Sequence, residues 1–359
     1  MQKCQLQFID LTAVASVEGD RCSVLHLAIL TIFTKISCLL YSCLKIIARL
    51  AIRVFCRKII INQPDLLKIK GPVLLACNHP NSFLDSVILD TLFEQPVWSL
   101  ARGDVFKKPF IIRILSALKI LPVYRTSEGV ENLSENYKTF EACIKIFRNN
   151  GIINIFSEGK CINEWHLRPL KKGTARLAIK AWEENIPLQV IPVGINYSSF
   201  RRFGKNIFLN FGSLISKENI NFTEADGMRH QSFNNQLQKQ LEQLVFEIPK
   251  QDKQKQKELL EIKPSVQKKI LLAIPAVVGY LIHLPLYIPV KKFTWKKTNH
   301  NDHYDSVLIG ILLFGYILYL IVIVAIVWII TGGWWAIFLL ILLPFTAWAY
   351  TQLKPQLDK

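Results

Sequence analysis

Val73-Leu74-Leu75-Ala76-Cys77-Asn78-His79-Pro80-Asn81-Ser82-Phe83-Leu84-Asp85 decides how this chain is read. Five apolar or small residues run into Asn78-His79-Pro80-Asn81, a turn-forming stretch, and Phe83 then opens a segment with helical spacing. That order predicts a strand, a tight turn and a helix start. His79 therefore falls at the carboxyl end of a strand, where α/β sheets gather their ligands. Asp85 lies in the helix's opening turns, within reach of the imidazole. A carboxylate on one ring nitrogen fixes the tautomer and leaves the other nitrogen to act as a base. A lone histidine more often has a structural role, so the neighbourhood must support the chemistry.

The chain alternates beyond this stretch. Val97–Ala101, Ile120–Val123, Ile152–Phe156, Leu188–Ile195 and Ile207–Phe211 are short apolar runs bounded by Gly, Pro or Asn. Ser82–Phe93, Glu131–Asn149 and Lys172–Glu184 carry helical spacing. Strands and helices in alternation predict an α/β domain. Cations gather where the strands end: Arg102, Lys107 and Lys108, then Arg125, then Lys160, Arg168 and Lys171. Such side chains, with a helix N-terminus, are what a phosphate needs. A solvated basic face is the plain meaning of any one cluster, and recurrence at strand ends favours a ligand.

The chain has 359 residues, 44 Lys+Arg against 27 Asp+Glu, and a positive mean hydropathy of +0.26. Charge and hydropathy together assign some segments to membrane, and so much apolar material excludes disorder as the main state. A net charge of +17 suits nucleic acid in principle. The cations accompany apolar faces, however, and no reading helix or sheet-aromatic motif appears, so no nucleic-acid partner is expected. Eight cysteines, all between Cys4 and Cys161, form no CxxC pair. A reducing compartment is expected, with neither a metal site nor a disulfide scaffold.

Val307–Ile330 is 24 residues without a charge, and at about 1.5 Å per residue it exceeds the ~30 Å of bilayer hydrocarbon. Thr331-Gly332-Gly333 interrupts the pattern before a second apolar run, Trp334–Tyr350. Trp334, Trp335, Trp348 and Tyr350 suit the two interfaces. Lys291, Lys292, Lys296 and Lys297 precede this pair of segments, and Lys354 and Lys359 follow it. The positive-inside rule then predicts a transmembrane helical hairpin with both ends cytoplasmic. Ile270–Val290 is also uncharged but contains Pro275, Pro285 and Pro289, and is expected to be re-entrant or interfacial. Cys22–Pro64 carries Lys35, Lys45, Arg49, Arg53, Arg57 and Lys58 and no acid. From Lys45 the cations recur every four residues, the pattern of a basic amphipathic helix on anionic lipid or of an ordinary core helix.

The expected organisation follows: 1–22 poorly structured, 23–64 membrane-associating helices, 65–230 the α/β domain and 231–269 a Gln/Lys-rich helix and linker. The apolar segments 270–290, 307–330 and 334–350 complete the chain.

Four stretches resemble, in order, the four motifs of the glycerolipid acyltransferases. They are Asn78-His79 through Asp85; Arg102 onward to Pro122-Val123-Tyr124-Arg125; Phe156-Ser157-Glu158-Gly159; and Ile191-Pro192-Val193-Gly194-Ile195. The resemblance covers roughly residues 70–215. It implies a mixed central sheet flanked by helices, and O-acylation of a glycerol 3-phosphate or 1-acylglycerol 3-phosphate hydroxyl. Acyl-CoA or acyl carrier protein would be co-substrate, with no other cofactor. His79 would be the general base and Asp85 its orienting partner. Arg125 and Arg102 would grip the phosphate, with Lys107, Lys160, Arg168 and Lys171 as further candidates. Asn78, Glu158 and Gly159 would shape the acceptor site. The partners implied are membrane lipids, the acyl donor and a glycerophosphate or lysophospholipid, at the cytoplasmic face of a membrane.

Two departures qualify this. Five residues separate His79 from Asp85 where most of the family has four, a spacing similar to a subgroup with glycerol-3-phosphate/dihydroxyacetone-phosphate acyltransferases. The third motif's usual arginine is Cys161 here, so Lys160, Arg168 or Lys171 must supply that charge. Lysine is a point charge rather than a bidentate fork. The alternatives are a different lysolipid acceptor, or a non-catalytic lipid-binding protein on the same fold. A Cys77 nucleophile is a rival within the motif, but a small buried strand residue is the simpler reading.

Overall fold

The computed structural model describes residues 20–124 and 133–358, with side chains at 38–124 and 136–358. Seven strands form one sheet: β1 (Cys56–Ile61), β2 (Val73–Cys77), β3 (Val97–Arg102), β4 (Ile120–Val123), β5 (Ile152–Phe156), β6 (Gln189–Tyr197) and β7 (Lys205–Phe211), in the order β1-β7-β6-β2-β5-β3-β4. Every neighbouring pair is parallel except β6 with β7, so the sheet is mixed. All five β2 residues are buried, as a continuous apolar run covered on both faces should be. In register, Cys77 stands beside Phe156 of β5 and Val193 of β6. The first, third and fourth motifs therefore meet on three adjacent central strands, toward the carboxyl end of β2.

Among the described residues, six α-helices belong to this unit: α2 (Phe83–Leu92), α3 (Pro109–Ala117), α4 (Leu133–Arg148), α5 (Gly173–Glu183), α6 (Asp226–Leu244) and α7 (Lys253–Leu260). Phe147, Leu177, Trp182, Phe233 and Leu237 pack one face of the sheet. Leu84, Ile88 and Leu89 of α2 pack the other, with Ile52 and Phe55 of α1 (Asp20–Phe55). Each such side chain contributes about 1.5–3 kcal/mol by leaving water. The sequence pattern missed β1 and α3. In β1 the cation rhythm of the preceding helix runs on through Arg57 and Lys58, and only pairing with β7 reveals a strand.

The basic stripe of α1 differs in part from the lipid-facing expectation. Lys45 lies 3.4 Å from Asp90, and Arg49 Nε and Nη2 donate to the carbonyls of Thr91 and Phe93 at the end of α2. Leu39, Leu40, Ile46 and Leu50 face outward instead, with Arg53 and Lys58. Unpaired carbonyls at a helix C-terminus attract cations, a partner that spacing alone cannot show. Cys43, Cys56, Cys77, Cys143 and Cys161 are free thiols, and Cys38 is disulfide-bonded.

Among the described residues, three segments are long and apolar enough to cross a membrane: α8 (Val266–Thr298), α9 (Tyr304–Thr331) and Trp334–Leu353, whose last fifteen residues form α10 (Leu339–Leu353). Gly332, at φ 63°, ends α9 in the left-handed conformation that a side chain disfavours. Pro275, Pro285 and Pro289 sit inside a continuous α8, so the chain does not fold back on itself there as a re-entrant segment would. Gly279 of α8 rests against the Thr346 carbonyl of α10, an approach a side chain would block. Both ends of α8 return to the α/β unit. Lys268 bonds Gln352, which donates to the Arg57 carbonyl of β1, and Arg201 beyond β6 stacks on Trp295.

Candidate active site

His79 Nδ1 lies 2.9 Å from Asp85 Oδ2, and the Asp85 side chain is fully buried. The same oxygen accepts the Asn81 backbone N–H at 2.8 Å, and Oδ1 accepts the Tyr197 hydroxyl at 2.6 Å. An ionised carboxylate only accepts, so Nδ1 carries the proton and Nε2 is the free acceptor. Among the described residues no hydrogen bond engages Nε2. Phe156 supports the imidazole from β5, stacked at 3.8 Å and 11°. Burial holds the Tyr197 phenol well above its ordinary range, so it remains a donor. Sequence reasoning missed Tyr197. Its strand alternation with Val193 and Ile195, which share the α2-facing core, is the signal that could have found it.

Two residues expected to shape the acceptor site join the motifs. Asn78 donates through Nδ2 to the Ile195 carbonyl and accepts the Ile195 N–H, locking β2 to β6. Glu158 accepts the His79 N–H at 2.8 Å through Oε2 and the Arg168 N–H at 2.9 Å through Oε1. Burial pushes the Glu158 carboxyl up, while those two N–H groups favour its charged form. Gly159 turns at φ 66° beneath the Lys171 stem, where a Cβ would stand 3.0 Å from Lys171 Cγ.

The cations are arranged unevenly. Arg168 Nη1 bonds Glu164 at 2.8 Å, and Arg102 pairs with Asp104 on an exposed rim. Lys107, Lys160 and Lys171 are exposed. Arg125 lies outside the described residues. Cys161 lies where the family has arginine, and its sulfur accepts the Ser82 N–H at 2.9 Å. The site has thereby exchanged a charge for a loop contact. Burial raises both the Cys161 and the Cys77 thiols, and Cys77 is wholly enclosed, so neither suits a nucleophile. His166 bonds Glu247 on the surface.

One wall of the site comes from outside the α/β unit. The turn between α8 and α9 lies on the loop that joins His79 to Asp85. His303 Nδ1 shares a 2.7 Å hydrogen bond with Ser82 Oγ, and Ser306 Oγ accepts the Leu84 N–H. Asp305 Oδ2 accepts Asn81 Nδ2 at 2.7 Å and pairs with Lys205, with both side chains of that pair fully buried. Asp302 Oδ1 accepts the Asn163 N–H. Nothing in the spacing of residues 302–306 announces this role.

The geometry agrees with what comparison with known proteins finds. The Acyltransferase family matches residues 58–196. That stretch runs from within β1 nearly to the end of β6 and takes in both His79 and Asp85. A 1-acyl-sn-glycerol-3-phosphate acyltransferase of Borreliella burgdorferi is 27% identical over 155 residues, 43% of this chain and 57% of that protein. The chain thus spans little more than half the length of the curated relative it matches. These findings support the glycerolipid acyltransferase superfamily that the four motifs resemble. A solved 1-acyl-sn-glycerophosphate (LPA) acyltransferase, PlsC, from Thermotoga maritima aligns over 56% of this chain and 79% of its own. Its identity is 14% and its TM-score 0.36, too low to carry an argument about the α/β unit.

Proposed function

We propose that the chain transfers an acyl group from acyl-CoA or acyl carrier protein to a hydroxyl of 1-acylglycerol 3-phosphate or glycerol 3-phosphate. The observation that carries this is His79, whose Nδ1 is held by a buried Asp85 that accepts three hydrogen bonds, while among the described residues none bonds Nε2. The acceptor hydroxyl gives its proton to Nε2 as its oxygen attacks the thioester carbonyl. The tetrahedral oxyanion collapses with cleavage of the C–S bond, and the thiolate leaves with the proton from His79. Positioned base catalysis supplies about 10²–10⁴ in rate. Holding the phosphate makes the attack effectively intramolecular, worth up to about 7–11 kcal/mol. Arg102, Lys107, Arg125, Lys160, Arg168 and Lys171 are the cations available for that grip.

The membrane segments suit a lipid product. A helix that crosses a bilayer once separates its ends by ~30 Å of hydrocarbon. Because α8 lies by the α/β unit near both ends, through Gln352 of α10 at one and Trp295 at the other, we place it along the cytoplasmic interface, and α9 with Trp334–Leu353 across the membrane.

The test is acyl transfer by the purified chain in vesicles. Labelled acyl-CoA and acyl carrier protein are each offered with glycerol 3-phosphate, dihydroxyacetone phosphate and lysophosphatidate. Wild type should form product, and His79→Ala should be slower by about 10²–10⁴. Equal rates in the two proteins would end the general-base reading.

A further inference from the structure

We infer that Asp305 is a positioning residue for the His79–Asp85 pair, supplied by the first turn of α9 and not by the α/β unit. The inference rests on the acyl-transfer reading of the site and adds an element to it.

The connection is continuous. Asp305 Oδ2 holds the Asn81 side chain at 2.7 Å, and the Asn81 N–H donates at 2.8 Å to Asp85 Oδ2, the oxygen that His79 Nδ1 uses. Lys205 of β7 pairs with the same Asp305 oxygen from the other side. Fixing Asn81 therefore fixes one of the three donors that orient the Asp85 carboxylate.

The loop being held is one that would not hold itself. Ser82 has φ 52° and ψ −138°, a conformation costly for a residue with a side chain, and it provides no side-chain cap for α2. Three contacts compensate. The Ser82 N–H goes to Cys161 Sγ, its hydroxyl bonds His303, and the orphaned Leu84 N–H goes to Ser306. Two of these three come from the α8–α9 turn and the first turn of α9. The five residues between His79 and Asp85, one more than most of the family has, thus meet a matching surface on the apolar C-terminal part of the chain.

An unpaired buried charge would confuse the test, so Lys205 is neutralised together with Asp305. Lys205→Met/Asp305→Asn keeps an oxygen for Asn81. Lys205→Met/Asp305→Leu is neutral and similarly sized but offers none. Asn81→Ala in the otherwise native chain removes the same bond and leaves the ion pair intact, which covers failure of a double variant to fold. All are full chains in vesicles, with wild type and His79→Ala alongside. The Leu double variant and Asn81→Ala should each lose at least tenfold in kcat, with the acceptor KM unchanged within about twofold, while the Asn double variant retains most of kcat. A second readout is the downfield Nδ1–H proton resonance of His79, assigned by its loss in His79→Ala. It should persist in the Asn double variant and shift or broaden in the Leu double variant and in Asn81→Ala. Wild-type kcat and an unmoved resonance in Asn81→Ala, or in the Leu double variant, would overturn the inference. If wild type transfers to no acceptor the functional reading falls, and the resonance alone then decides whether Asp305 positions the pair.

Discussion

Helix α2 is gripped at both ends by elements outside the α/β sheet, and the two grips differ in kind. At its C-terminal end α1 supplies a cation, Arg49, to the Thr91 and Phe93 carbonyls. At its N-terminal end the first turn of α9 supplies an anion and a hydroxyl, Asp305 and Ser306, to Asn81 and the Leu84 N–H. Each sign is the one the helix dipole favours at that end. The far grip lies a whole helix away from His79, and the near one touches the loop that carries it. The same kind of bond should therefore act on stability at one end and on chemistry as well at the other.

Three experiments would break or sharpen that contrast. The largest effect is expected from Asp305→Ala with Lys205 left in place. A buried ammonium without its partner destabilises by about 3–5 kcal/mol, read from denaturant unfolding in detergent; a loss below 1 kcal/mol would mean that water reaches the pair. Next is Arg49→Met, which removes hydrogen bonds from a charged donor worth about 1.5–3 kcal/mol. Its melting temperature should fall while kcat stays within about twofold of wild type. A kcat loss as great as that of Asn81→Ala would erase the distinction between the two ends.

The smallest effect concerns pH. Burial lowers the His303 pKa below its ordinary 6.5, Arg102 and His79 lower it further, and Asp302 opposes them. With the folded value depressed, this stability is fully present above pH 6.5 and is lost as pH falls through the folded value. The near grip should loosen as pH falls below about 6.5 and through the folded value, and His303→Gln should remove that part of the slope. An unchanged slope in His303→Gln would place the sensitivity elsewhere.

Much of the α/β unit could be read from the chain. Val73–Cys77 with His79 and Asp85 behaves as its pattern suggests, because a buried parallel strand and a helix start both leave local signals. Phe156-Ser157-Glu158-Gly159 falls beside it, although Glu158 serves backbone N–H groups. The misses share a cause. Tyr197 bonds Asp85 across 112 positions and Asp305 bonds Asn81 across 224, and no local pattern encodes a partner so distant. The α1 cations misled for the converse reason. Their four-residue rhythm is local and clear, but the Asp90 carboxylate and the α2 carbonyls that receive two of them belong to another segment.

The Asn81–Asp305 bond also bears on timing. A ribosome adds about 5–20 residues each second, so the 224 positions between these partners correspond to roughly 11–45 s of synthesis. Throughout that interval the loop around His79 already exists, but the carboxylate that steadies it has not been made. A nascent chain therefore carries His79 and Asp85 before the loop between them can be braced, and that brace is completed only when the start of α9 arrives.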